Sequence, residues 1–205
     1  MEYGAALELT DSAAVGNVAV ALQVSEVGTS ATLSAVSLRA SVPNAEGGRG
    51  RGANVQFGAT LSAAQLAIVD DVQAGLFVFG SGSWVTVHDA LIRGTAPDSA
   101  GFGHAAMVVE SARLDLLRVT LQGSAGIAMA VAGATGSLAS SLVVDNAVGL
   151  HVQDGVELAE LDALPPTVPS LQLVVTSDVA FSGNASRVGS GQVPLPDPLT
   201  DPPQP

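Results

Sequence analysis

Asp89, Asp98, Asp115 and Arg118 are the residues of this chain whose types could break a bond. Two carboxyl groups facing one glycosidic bond can serve as acid and base. Their spacing does not bring two carboxylates together. Asp89 falls in an alternating outward column with Ser37, Gln65, Arg118 and Ser140, and Asp115 in another with Ser34, Ser62, Thr86 and Ser137. Asp89 beside Arg118 reads as an ion pair between neighbouring strands, contributing about 0–1 kcal/mol if exposed. The three His residues, His88, His104 and His151, stand in different repeats and different columns, and the chain has no Cys. Neither a metal centre nor a cofactor is expected from such scattered donors. The run from Gly47 to Gly52 has Gly where a calcium-binding repeat needs Asp, and no Lys follows it as in a phosphate loop. It reads as a flexible entry to the next strand. No Ser sits in a Gly-x-Ser-x-Gly elbow. Asn184-Ala185-Ser186 fits a glycosylation sequon.

The elements that must hold these residues are announced by a phrase that returns. Ala31-Thr32-Leu33-Ser34-Ala35-Val36-Ser37-Leu38 comes back as Ala59-Thr60-Leu61-Ser62-Ala63-Ala64-Gln65-Leu66, with looser copies around Val85, Leu114 and Gly136. Intervals in the twenties with period-two alternation predict stacked parallel strands. Anchoring on Leu33, Leu61, Val85, Leu114 and Gly136 gives each unit three strands. The first carries Ala53/Val55/Phe57, Leu76/Val78/Gly80, Ala105/Met107/Val109, Ile127/Met129/Val131 and Leu150/Val152 towards one face. The second carries Leu33/Ala35, Leu61/Ala63, Val85/Val87, Leu114/Leu116 and Gly136/Leu138, and a short third adds Ile68, Ile92, Leu121 and Val143. Phe57 beside Gly80 is a large–small pair that favours this register. The longest insertions, residues 40–50 and 94–103, fall at one corner and read as loops.

In that register Phe77, Phe79, Ala106, Val108, Ala128 and Ala130 point outward, between polar ends supplied by Asn54, Gln56, His151 and Gln153. An apolar island of this kind marks a contact surface. Phe77, Phe79, Val108, Ala128 and Ala130 are therefore the candidate binding residues. Cover by the 94–103 loop or the C-terminal segment is the alternative, and a slip of one residue would turn every side chain over. Trp84 shares an outward column with Arg113, where stacking is worth roughly 0.5–1 kcal/mol. Trp84 is a further candidate, as a platform for a sugar.

Composition excludes several partners. Among 205 residues, 7 Lys and Arg face 19 Asp and Glu, for a net charge of −12. Phosphate backbones and anionic membranes need a basic surface, so nucleic acid is not expected. Residues 123–144 are uncharged and long enough for a bilayer, but they are rich in Gly and Ser and align with charged repeats. No membrane span is expected. Met1-Glu2-Tyr3-Gly4 lacks the positive start of a secretory leader.

These repeats resemble the right-handed parallel β-helix proteins of the pectate-lyase-like superfamily, most of all repeat-rich secreted or surface chains of GC-rich bacteria. The resemblance covers roughly residues 5–160, where the repeat can be traced. It implies an all-β, right-handed parallel β-helix of about six coils over residues 1–163. A terminal strand and cap follow at 164–191, and a Pro-rich tail or linker at 192–205. It also implies a place outside the cell or on its surface. The expected function is a non-catalytic scaffold or adhesion module that offers the apolar face and loops to a protein partner or a second copy. The rival is a polysaccharide lyase or glycoside hydrolase, with the two long loops walling a groove. In the family, clustered carboxylates hold calcium and a basic residue takes a proton. Asp89, Asp115 and Arg118 are the residues this chain offers for such roles, with Asp98.

Overall fold

Apolar residues at every second position favour extended backbone with one buried face, and the chain is built of strands and turns. The computed structural model describes residues 4–45 and 47–199, and no helix occurs among them. One sheet has eleven strands. Its long members are β1 (Ala6–Val15), β3 (Ser30–Arg39), β8 (Trp84–Arg93) and β10 (Arg113–Gln122), and the shorter ones are β5 (Thr60–Ala64), β6 (Ala67–Val69), β12 (Thr135–Ala139), β13 (Leu142–Val144), β15 (Glu157–Leu161), β16 (Gln172–Thr176) and β17 (Ala180–Ser182). The second sheet has seven strands: β2 (Val20–Ser25), β4 (Arg51–Gln56), β7 (Gln73–Phe79), β9 (Gly103–Val109), β11 (Ile127–Ala132), β14 (Val148–Gln153) and β18 (Ser186–Ser190). Every strand pairing is parallel. The chain passes back and forth between the sheets, and Leu33, Leu61, Val85, Leu114, Leu138 and Leu173 from the first meet Val55, Val78, Val108, Val131 and Leu150 from the second in one core.

Two columns of left-handed residues shape the first sheet. Asp11, Ala35, Gln65, Asp89, Arg118 and Ser140, with φ between 48° and 56°, stand level with one another and bend each strand once. Gly16, Ala40, Asp70, Gly94, Gly123, Asp145 and Gly183 form the second column, with φ between 53° and 72°. Each is followed by a polar residue turned into the corner between the sheets. The backbone N–H of Ser41 donates to Asp71 Oδ1 (2.7 Å), that of Ser124 to Asn146 Oδ1 (2.9 Å), and that of Asn146 to Asn184 Oδ1 (3.0 Å). Asn146 Nδ2 donates to the carbonyls of Leu121 and Val144, and Asn184 Nδ2 to that of Val143. The corner thus satisfies backbone groups that the change of direction takes out of the ladder. Asn184 spends its amide here, whatever its sequon suggests.

The register departs from the sequence expectation in several places, among them β11, where Ala128 rather than Ile127 faces the core. Ala31 pairs with Leu61 and Leu33 with Ala63, so the repeated phrase is offset by two residues. An even offset keeps the same face inward. In β9 the offset is odd: Leu76 pairs with Ala106 and Val78 with Val108, which turns Met107 outward and Ala106 and Val108 into the core. Phe57 leaves the inward set at φ 56° and packs edge-on against Phe79, with ring centres 5.7 Å apart.

The C-terminal part covers both sheets. β16, not β15, lies beside β12, and β15 forms the outer edge beyond it. The Pro-rich link between them folds back over the first sheet, with Val168 buried. After β18 the chain crosses the outer face of the second sheet, and Leu199 is 3% exposed.

Candidate functional site

The two long loops meet. Ser99 Oγ donates to the carbonyl of Gly47 (3.0 Å), and with residues 195–197 the loops enclose a polar cleft of about 570 Å³. Asn44, Arg49, Arg51, Gln73, Asp98 and Phe102 line it. Arg51 is its best-organised side chain, 1% exposed. Its Nε donates to Gln73 Oε1 (2.6 Å) and its Nη1 to Asn54 Oδ1 (2.7 Å), while the guanidinium lies 4.0 Å from the centre of the Phe77 ring. Burial, aided by Arg49, pulls the Arg51 pKa down to about 9, against the pull of Asp197 and Asp98. It remains charged at neutral pH. Gln73 Nε2 in turn donates to Asp98 Oδ2 (2.7 Å), and the N–H groups of Ala100 and Phe102 donate to Asp98 Oδ1. Asp98 therefore ties its own loop together.

The other candidate acids lie on the outer face of the first sheet, away from Asp98. Asp115 accepts from Trp84 Nε1 (2.9 Å), Arg113 Nε (2.7 Å) and Ser137 Oγ (2.6 Å). Asp89 is gripped by Arg118 through Nε (2.6 Å) and Nη2 (2.8 Å), with His88 Nδ1 at 2.9 Å. Hydrogen bonds from Arg118 and then His88 hold the Asp89 carboxyl well below the usual carboxylate range. A carboxylate so engaged is a weak base. The sequence-derived ion pair between Asp89 and Arg118 is present, and these contacts place Asp115 in a separate cluster. Trp84 is 47% exposed, with the Arg113 guanidinium 5.2 Å from its ring centre. Next to this cluster, His88, Leu117, Leu164, Pro165 and Val168 border an apolar cleft of about 250 Å³.

The apolar island is not open. Val108 and Ala128 face the core, the first because of the odd offset in β9, the second because β11 turns Ala128 and Met129 inward in succession. Phe77 (0% exposed), Phe79 and Ala130 do belong to the outer face, joined by Met107, Val109, Ile127 and Ala132, but Val193 and Leu195 of the C-terminal segment pack over them. That face is an inner layer of the folded chain. His104 and His151 also serve it structurally. His104 Nδ1 accepts from the N–H of Ile127 (3.0 Å), and His151 Nε2 lies 3.1 Å from Gln153 Oε1. Among the described residues no cluster of three His, Cys, Asp or Glu could hold a metal ion, and no helix is long and apolar enough to cross a membrane.

Arg51 and Gln73 carry no signal in the sequence, whereas Gln56 and Gln153 were visible as the polar ends of the apolar island though not as hydrogen-bonding groups. The signal of these two was positional: Asn54 and Gln56 on β4, like His151 and Gln153 on β14, bracket rows that are apolar between them. Comparison with protein-family models, with curated proteins and with solved structures finds no match to this chain.

Proposed function

We propose that this chain is a right-handed parallel β-helix akin to the pectate-lyase-like proteins, acting as a non-catalytic scaffold outside the cell or on its surface. The surface it offers a partner is the cleft between the two loops together with the exposed Trp84 face. The observation that carries this reading is the use of Asp89, Asp98 and Asp115: each accepts hydrogen bonds that hold its own surroundings together, and they divide between two faces. None is left as a free acid or base beside another.

A polysaccharide lyase or hydrolase is the second reading, favoured by the cleft that the loops do enclose and by the cationic Arg51 in its wall. Incubation with a panel of acidic and neutral polysaccharides, with and without calcium, separates the two. A scaffold retains a polymer or ignores it, and leaves its length unchanged. Accumulation of shortened or unsaturated products, lost in Asp98→Asn, would replace the scaffold by an enzyme.

A further inference from the structure

Residues 191–199 read Gly-Gln-Val-Pro-Leu-Pro-Asp-Pro-Leu. Each Pro fixes its own φ and restricts the residue before it to extended conformations. The segment is stiff before it touches anything, and its N–H groups survive only at alternate positions from Val193 onward.

The face beneath it matches that pattern at both ends. On β14, Gln153 Oε1 accepts from the N–H of Val193 (3.0 Å) and its Nε2 donates to the same residue's carbonyl (3.3 Å). On β4, Gln56 treats Leu199 in the same way: Oε1 accepts from its N–H (3.0 Å) and Nε2 donates to its carbonyl. Arg51 Nη2 donates to the carbonyl of Asp197, and His151 Nε2 lies 3.1 Å from that of Gly191. Between the two amides, Phe77, Phe79, Met107, Val109, Ala130 and Ala132 make an apolar floor for Val193 and Leu195. The lengths agree as well. Six residues of extended Pro-rich chain span about 19 Å, and so do the four strand spacings from β14 to β4.

The floor thus recognises an extended segment by its main chain at two points and by apolar side chains between them, and Pro removes the N–H groups that would otherwise go unmet. Pro-rich ligands are held in aromatic-lined grooves by this combination. We propose that the outer face of the second sheet is a docking groove for an extended peptide in which Pro alternates with apolar residues, and that residues 191–199 occupy it as a strap that a segment of the same pattern on another chain can replace. The strap shares Arg51 and residues 195–197 with the cleft of the scaffold reading, but peptide binding is measured with no polysaccharide or surface partner present, so the two readings can fail separately. Attachment through Gly191, at φ 106°, gives the strap a high local concentration, so a free peptide competes poorly with it.

The test uses the full chain and a labelled synthetic peptide of residues 190–199. In Leu195→Asp with Leu199→Asp the strap loses its grip, and the peptide is expected to bind at micromolar concentration, at least tenfold more tightly than to the unmodified chain. Adding Gln56→Ala and Gln153→Ala, or replacing the three Pro of the peptide by Ala, should weaken binding at least tenfold. Circular dichroism and a thermal melt accompany each variant. A folded, strap-loosened chain that ignores the peptide overturns the proposal, as does equal binding of the Ala-substituted peptide. Loss of the native spectrum on loosening also overturns it, because the strap is then an integral layer of the fold.

Discussion

Asp71 stands in the corner column where Asn146 and Asn184 use both amide atoms. Its Oδ1 accepts from Ser41, but its Oδ2 is buried with no partner. Burial raises its pKa from 3.8 to about 6. The folded state therefore holds the proton more tightly than the unfolded one. The stability this adds is complete below pH 3.8 and is lost as the pH rises through 6, a swing of about 3 kcal/mol. Asp71→Asn supplies the missing donor and should be more stable at pH 7 by about 1–3 kcal/mol in urea unfolding. His104 has the opposite sign. Burial lowers its pKa from 6.5 to about 4, so its contribution is complete above pH 6.5 and lost as the pH falls towards 4. In the native chain the two slopes oppose each other. In Asp71→Asn the His104 limb is exposed, and stability should rise steadily from pH 4 to 6.5. A flat profile there would show that His104 is not held neutral.

At the scale of the element, the left-handed column that ends each passage through the first sheet is mostly Gly or Asp, with Ala40 the exception at φ 53°. An L-residue with a Cβ bears about 1–2 kcal/mol of strain in that region, partly offset by the greater freedom Gly has when unfolded. Ala40→Gly should therefore stabilise by about 0.5–1 kcal/mol. Gly94→Ala is the converse. A Cβ there would meet Asp70 Oδ1 at 2.5 Å as well as a strained φ of 72°, and a loss of about 2 kcal/mol or more is expected in the same unfolding assay. Equal effects of the two substitutions would mean that the column does not limit stability.

For the whole molecule, the decisive layer is the one the chain lays over itself. With the apolar floor covered by Val193 and Leu195, no large apolar face remains on the second sheet among the described residues to drive association. Light scattering over a concentration series should report 20.3 kDa throughout. A mass that rises with concentration would point to copies exchanging their straps.

Period-two alternation and the returning phrase were enough for an all-β chain of parallel strands, because burying one face of a strand imposes a period that survives in sequence. The lone carboxylates and the Asp89–Arg118 pair were legible for a related reason: neighbouring strands keep their columns. Register was legible only in part: Leu61, Val85, Leu114 and Gly136 stand level as the returning phrase aligns them, but two other pairings do not. Ala31 beside Leu61 and Val108 inside rather than outside are shifts of two and of one, and an alphabet of Ala, Val and Leu fits each shift almost equally well. The polar corner after Gly16, Ala40, Asp70, Gly94, Gly123, Asp145 and Gly183 would have fixed it, since backbone geometry constrains those residues more tightly than core volume constrains an Ala. The fate of the apolar face belonged to the tertiary structure alone. Whether Phe77 meets solvent, a partner or residues 193–199 depends on a contact between segments more than a hundred residues apart, and local sequence encodes the pattern of each but not their meeting.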